Sequence, residues 1–190
     1  SGSVAKAVRE YILDSTIFEL AERDEHLVFD AHNLDQLMTG VSAMAVGMGM
    51  GASYDHNARI IDYILHNFRG KLLLDADGLN SIQNQTQMLD NAVCQVVITP
   101  HPKEMARLTG LDVSEVLSNP LSIARDFAKA HNVVVLLKGT STIVTDGDQA
   151  MIVTSGTPAL AKGGSGDVLS GTILGLMARG ADVFDSAVVG

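Results

Sequence analysis

Four short, mostly apolar runs, each followed by a loop of glycine or polar residues, most constrain the fold of this chain. The runs are Ala43–Val46, Lys71–Leu74, residues 93–98 and residues 133–137. Segments with helical periodicity separate them, such as residues 55–68 and 121–130. Strands that alternate with helices predict an α/β fold, with a mostly parallel central sheet and helices on both faces in three layers. Ligands of such sheets bind in a crevice at the carboxyl ends of the strands.

Local signals add detail to this framework. The Asp146-Gly147 pair between two apolar runs, residues 143–145 and 151–154, predicts a late β-hairpin that makes the sheet mixed. In the helix over residues 55–68, Asp55 is the candidate N-cap and Gly70 closes the end.

Composition limits the class of protein. Of the 190 residues 46% are hydrophobic and mean hydropathy is +0.21, which favours one compact domain over disorder. A net charge of −9 without a basic run argues against nucleic acid and anionic membranes as partners. No apolar run is long enough to span a bilayer, and the single Cys94 allows no internal disulfide. We therefore expect a soluble, cytoplasmic protein.

The segment Lys-Gly-Gly-Ser-Gly-Asp at residues 162–167 is the most informative for function. It precedes an apolar helical pattern that Gly180 closes, so its glycines lie at the N-terminal end of a helix. Gly164 and Gly166 leave the backbone amides accessible there, and the helix dipole favours an anion such as phosphate. Asp167 is either an ordinary capping residue or an acid with a role in proton transfer.

Other strand ends carry candidate ligand contacts. The turn at residues 47–51, with Gly49 at its centre, is either a nucleotide-type turn or a close packing of strand and loop. His101 stands between two prolines that restrict the loop, and is either a structural residue or a site residue. The loop after residues 133–137 offers a cation, a flexible backbone and three hydroxyl groups to a nucleotide, on Lys138, Gly139, Thr140, Ser141 and Thr142.

Taken together, four segments resemble the NAD(P)H-hydrate dehydratases of the ribokinase-like superfamily. They are Leu-Asp-Ala-Asp-Gly-Leu-Asn at 74–80, Thr-Pro-His-Pro-Lys-Glu at 99–104, Leu-Lys-Gly-Thr-Ser-Thr at 137–142 and Ala-Lys-Gly-Gly-Ser-Gly-Asp at 161–167. Their order and spacing also agree, and the resemblance covers residues 43–190. It implies that residues 1–190 form a single ribokinase-like domain lacking N- and C-terminal portions of the natural chain.

The resemblance implies a metabolite-repair reaction. Enzymes of this family use ADP or ATP to phosphorylate the ring hydroxyl of the S epimer of hydrated NADH or NADPH (NADHX or NADPHX). Loss of phosphate then restores the reduced dinucleotide. A homo-oligomer, a tetramer by resemblance, and Mg²⁺ as a cofactor are implied as well.

Residue roles follow from the same resemblance. Asp167 is the expected base and a substrate contact, in a catalytic turn with Gly164 and with Gly166, which belongs to the anion hole and contacts the nucleotide. Gly49 and His101 are expected to contact the hydrated dinucleotide, and residues 138–142 the adenine nucleotide. The two aspartates at 75 and 77 could hold Mg²⁺ through water, and Asp77 and Asn80 mark the phosphate or Mg²⁺ neighbourhood; no metal ligand is certain.

Two other functions remain open. A ribokinase-like kinase of a small alcohol or vitamin precursor would use the same glycine turn, although the His101 loop argues against it. A non-catalytic nucleotide-binding domain would retain the turn but show no turnover.

Overall fold

The computed structural model describes residues 6–7, 11, 15–23 and 26–190. Its strands form a short antiparallel pair and a six-stranded sheet. The pair is β1 (Glu22–Arg23) and β2 (His26–Leu27). The sheet contains, in spatial as well as chain order, β3 (Ala43–Val46), β4 (Lys71–Leu74), β5 (Gln95–Ile98), β6 (Val134–Leu137), β7 (Thr142–Thr145) and β8 (Ala150–Val153).

Helices connect and cover these strands. They are α1 (Ala31–Met38), α2 (Tyr54–Asn67), α3 (Asp77–Ile82), α4 (Pro102–Thr109), α5 (Val113–Ser118), α6 (Pro120–His131), α7 (Ser165–Ala178) and α8 (Val183–Val189), with 3-10 turns at Thr86–Asn91 and Pro158–Leu160. Within the described residues, no helix is both long and apolar enough to cross a membrane.

The sheet is mixed, as the sequence predicts. Strands β3 to β6 pair in parallel, whereas β7 and β8 are antiparallel to their neighbours and form the predicted hairpin. Their in-register pairing places the ends of β3, β4 and β5 at one edge, with Val46 beside Leu74 and Leu74 beside Ile98. The loops that follow these parallel strands therefore begin at a common edge of the sheet.

Alternating side chains on the strands supply two hydrophobic cores. On β4, Leu72 and Leu74 join the core that includes Ile61 of α2, while Leu73 between them joins the core that includes Ile173 of α7. All three leucines are fully buried. A central parallel strand is covered on both faces, which accounts for the unbroken apolar run at residues 72–74. The two cores confirm the three-layer arrangement.

Helix ends differ from the sequence prediction in one helix and agree in another. Helix α2 begins at Tyr54 with Ser53 as its N-cap, so Asp55 lies in the first turn, and it ends before Phe68 rather than at Gly70. Gly180 does close α7: its φ is +96°, and its N–H donates to the Met177 carbonyl. The adjoining Ala181 N–H donates to Leu176, which completes a Schellman motif.

Candidate active site

Helix α7 begins at the predicted anion-binding turn. Gly164 is its N-cap with φ +87°, a left-handed conformation that favours glycine, and no side chain caps the helix. The first-turn N–H groups of Gly166 and Asp167 point out of the helix end, where they are available to an anion. The Asp167 side chain is exposed beside them. The turn therefore combines amide donors with an accessible carboxylate.

A buried carboxylate lies against this turn. Asp75, which follows β4, is 2% exposed. Its Oδ1 accepts from Lys138 Nζ at 2.9 Å and from the Ala76 N–H at 2.9 Å, and its Oδ2 accepts from Ser170 Oγ at 2.8 Å. A Cβ built on Gly166 would lie 3.9 Å from both Asp75 Oδ2 and Lys138 Nζ. The glycine turn thus lies close to the Asp75–Lys138 ion pair.

The backbone after Asp75 is strained. Ala76 has φ +50° and ψ −120°, a region that residues with a side chain rarely adopt. This conformation starts α3 at Asp77 and lets the Ala76 N–H bond to the carboxylate that precedes it. The strained residue therefore lies between the buried Asp75 and the start of α3.

The glycine turn at residues 47–51 is tied to α3 and α2. Asp77 Oδ2 accepts from the Gly51 N–H at 2.8 Å, and Asn57 Nδ2 donates to the Gly51 carbonyl at 2.9 Å. Gly47, Gly49 and Gly51 all have positive φ. Asn57 is fully buried, and its Oδ1 has no partner among the described residues. These hydrogen bonds hold the turn in place at the edge of the sheet, and one of them is made by the Asp77 carboxylate.

His101 is the N-cap of α4. Its Nδ1 accepts from the Lys103 and Glu104 N–H groups at 3.1 and 3.2 Å, while Glu104 Oε2 accepts from the His101 N–H at 2.8 Å. Because Nδ1 is an acceptor, the neutral ring carries its proton on Nε2. That side chain is 45% exposed, so the ring combines a capping role with access to ligand.

In the predicted nucleotide loop, Lys138 forms an ion pair and the three residues after it are exposed. Gly139, Thr140 and Ser141 are exposed, and Thr142 already belongs to β7. Lys138 donates its N–H to the Pro100 carbonyl at 2.9 Å, which links this loop to the His101 loop. Its ammonium forms an ion pair with Asp75 Oδ1 at 2.9 Å, a contact that the sequence does not indicate.

The predicted Mg²⁺ neighbourhood provides no cage of protein ligands. The Asn80 Oδ1 accepts from Arg107 Nη1 at 2.7 Å, and the oxygens of Asp75 are used by Lys138, Ser170 and Ala76. In the part of the chain that the structure describes, no group of three or more His, Cys, Asp or Glu residues could hold a metal ion. An open cavity of ≈ 730 Å³ lies beside Asn80, between residues 52–56 and 80–87.

Sequence reasoning missed two members of this arrangement. Ser170 and Asn57 are buried polar residues within helices. The only sequence signal is a polar residue among apolar positions of a helix, which does not identify its partner. The predicted residues Asp167, Gly166, Lys138, His101 and Gly49 all lie in segments that follow the sheet strands or begin α7.

Similarity to solved structures identifies the fold. The chain is similar to a ribokinase-like superfamily protein from Enterococcus faecalis, with a TM-score of 0.67 at 22% identity, over 85% of this chain and 58% of that chain. It is also similar to a hydroxyethylthiazole kinase from Pyrococcus horikoshii, with a TM-score of 0.64 at 16% identity, over 82% and 62% of the two chains. These similarities show a ribokinase-like fold.

The chain belongs to the NAD(P)H-hydrate dehydratase family, whose sequence model (Carb_kinase) matches residues 5–190. It is 35% identical over 153 residues to the ADP-dependent (S)-NAD(P)H-hydrate dehydratase of Neisseria meningitidis, covering 79% of this chain and 52% of that protein. The ADP/ATP-dependent NAD(P)H-hydrate dehydratase of Bacillus subtilis, co-crystallised with ATP and Mg²⁺, has a TM-score of 0.69 at 27% identity, over 82% of this chain and 56% of that chain.

The matched relatives are longer. The bifunctional NAD(P)H-hydrate repair enzyme of Moorella thermoacetica is 36% identical over 141 residues, which are 74% of this chain and 26% of that protein. The chain thus spans about half of the Neisseria relative and about a quarter of the bifunctional one.

Proposed function

We propose that this chain catalyses the nucleotide-dependent dehydration of hydrated NADH and NADPH, acting on the S epimer. The observation that carries the proposal is the α7 turn, where amide donors, an exposed carboxylate and a buried ion pair lie together. Family membership supplies the substrate class, and the names of the Neisseria and Bacillus relatives support ADP or ATP as phosphate donor.

The proposed chemistry is phosphoryl transfer followed by elimination. The ring hydroxyl oxygen attacks the terminal phosphorus of the nucleotide, whose bond to the leaving oxygen breaks, and Asp167 accepts the hydroxyl proton. Phosphate then leaves with a ring proton, which restores the double bond. Because the transition state of transfer is loose, alignment and charge stabilisation supply most of the catalysis, and the amides of the α7 turn suit that task.

Each candidate residue takes a role in this proposal. Gly164 and Gly166 shape the anion hole, Gly49 and His101 contact the dinucleotide, and residues 138–142 contact the nucleotide. Mg²⁺ would supply charge neutralisation to the phosphates. The described residues form no metal cage for the ion. The homo-oligomer that the resemblance implies remains a prediction, which light scattering on the purified chain tests.

The test is absorbance at 340 nm with hydrated NADH, Mg²⁺ and either ADP, ATP or no nucleotide. We expect a nucleotide-dependent rise with release of one inorganic phosphate per NADH formed, and the rise should stop when the S epimer is exhausted. The nucleotide that gives the faster rise identifies the preferred donor. No rise, together with a stable phosphate ester formed from a small alcohol, would favour the kinase instead.

A further inference from the structure

Asp75 is a buried carboxylate to which the proposed reaction assigns no step. Its three donors come from different parts of the fold: Lys138 after β6, Ser170 in α7 and the adjoining Ala76 N–H. A buried carboxylate is costly unless it is paired and hydrogen-bonded, so the charge on Lys138 stabilises it where it lies. The same contact fixes the ammonium of a side chain that is only 25% exposed.

The position of this pair gives it a consequence for the site. The Gly166 backbone approaches both partners, with its Cβ position 3.9 Å from Lys138 Nζ and from Asp75 Oδ2. Ser170 lies one turn further along α7 and bonds to the same carboxylate. The Asp75 carboxylate therefore fixes the position of the Lys138 ammonium. It also anchors α7, the helix whose first-turn amides face the proposed anion site.

We propose that Asp75 is a positioning residue that holds the Lys138 ammonium beside the Gly166 turn, so that phosphate of the nucleotide meets a fixed cation together with the helix amides. The role at phosphate rests on the proposed function. A lysine is a flexible cation with several rotatable bonds, and a charge fixed in advance stabilises developing negative charge without reorganisation.

The test is a double-mutant cycle of Asp75→Asn and Lys138→Met, read on ADP binding by calorimetry and on kcat. We expect Lys138→Met to weaken ADP binding at least tenfold in the wild-type background and less than threefold in the Asp75→Asn background, because the lysine is no longer held there. The kcat values should show the same coupling. Equal effects of Lys138→Met in both backgrounds would overturn the proposal.

Stability measurements separate positioning from a purely structural role. Lys138→Met leaves a buried carboxylate without its cation and should lower the melting temperature more than the double variant does. If the ion pair had a structural role alone, the melting temperatures would follow this same pattern. The effects of Asp75→Asn and Lys138→Met on ADP binding would then be independent of each other. The control Asp182→Asn changes a helix cap on α8, where asparagine also caps, and should alter neither the cycle nor ADP affinity.

The outcomes for the two proposals can be distinguished. If the wild-type chain binds ADP and shows the coupling but does not convert hydrated NADH, the proposed function fails and the positioning role stands. If turnover occurs without coupling, the positioning role fails. If the wild-type chain binds neither ADP nor ATP, both fail.

Discussion

Asp167 is exposed in the first turn of α7, and the proposed reaction assigns to it the proton of the substrate hydroxyl. We expect Asp167→Asn to lower kcat by about 10² to 10⁴-fold, the range for loss of a positioned general base. ADP binding should be unchanged or tighter, because a negative charge near phosphate is removed. Steady-state kinetics at 340 nm and calorimetry with ADP measure the two effects.

The control for this substitution is Asp185→Asn. Asp185 is also an exposed acid in the first turn of a helix, α8, and it has no place in the proposed site. Its substitution should leave kcat unchanged. Turnover by Asp167→Asn within a few-fold of the wild type would remove Asp167 from the role of base.

Substitution of Ala76 tests the backbone strain that follows β4. Its conformation, φ +50° and ψ −120°, costs of the order of 1–3 kcal/mol for alanine and little for glycine. Glycine loses more entropy on folding, so Ala76→Gly should stabilise the protein by about 1 kcal/mol and raise the melting temperature by ~2–4 °C. Calorimetric unfolding measures the shift.

Ala130→Gly provides the matched control. Ala130 is an exposed residue with helical backbone in the last turn of α6, so the same chemical change should destabilise the protein, by about 0.5 kcal/mol. A lower melting temperature for both variants would mean that Ala76 is not strained.

At the level of secondary structure, the helix cap at His101 carries two roles that substitution can separate. Asparagine is a good N-cap residue, so His101→Asn should retain stability, whereas His101→Ala should lose about 1 kcal/mol. If the ring also contacts the hydrated dinucleotide, both variants should raise its KM at least fivefold. Urea unfolding and steady-state kinetics measure the two effects, and a normal KM for His101→Asn would leave His101 as a cap alone.

Two of the three glycines in the turn at residues 47–51 differ in the space available for a side chain. A Cβ on Gly47 would lie far inside contact distance of the Asp75 carbonyl and 2.7 Å from the Gly78 nitrogen, while one on Gly49 would meet nothing within 4 Å. Gly47→Ala should therefore cost about 3 kcal/mol or more. The Gly49→Ala substitution should cost only the left-handed strain of about 1–2 kcal/mol. Urea unfolding compares the two, and equal losses would contradict the close approach at Gly47.

Strands and helices were predictable from local pattern, because residues 72–74 of β4 and all of β6 are apolar runs bounded by polar residues. The contact between Asp75 and Lys138 was not, because the residues are 63 positions apart and their strands are separated in the sheet by β5. The capping role of His101 was missed as well, since histidine is not among the favoured N-cap residues. Local sequence therefore placed the loops, but tertiary structure decides which side chains in them are paired.

At the scale of the whole molecule, the sheet order follows the chain order, and the two cores differ in which strand residues they take. The parallel part, β3 to β6, brings the predicted loops to one edge, while the hairpin of β7 and β8 extends the sheet beyond the nucleotide loop. The fold thereby concentrates the proposed anion-binding groups at one place in a chain that is acidic overall.

The net charge of −9 should repel a nucleotide until it reaches these local groups. The Debye length shortens from ~30 Å at 0.01 M salt to ~8 Å at 0.15 M. Added salt therefore weakens the long-range repulsion more than it weakens short-range attraction to a group such as Lys138. We expect the association rate constant of a fluorescent ADP analogue to rise severalfold between these salt concentrations, measured by stopped flow. The corresponding uncharged adenosine analogue should show no such change. A fall in the ADP rate would mean that attraction by the site already dominates at long range.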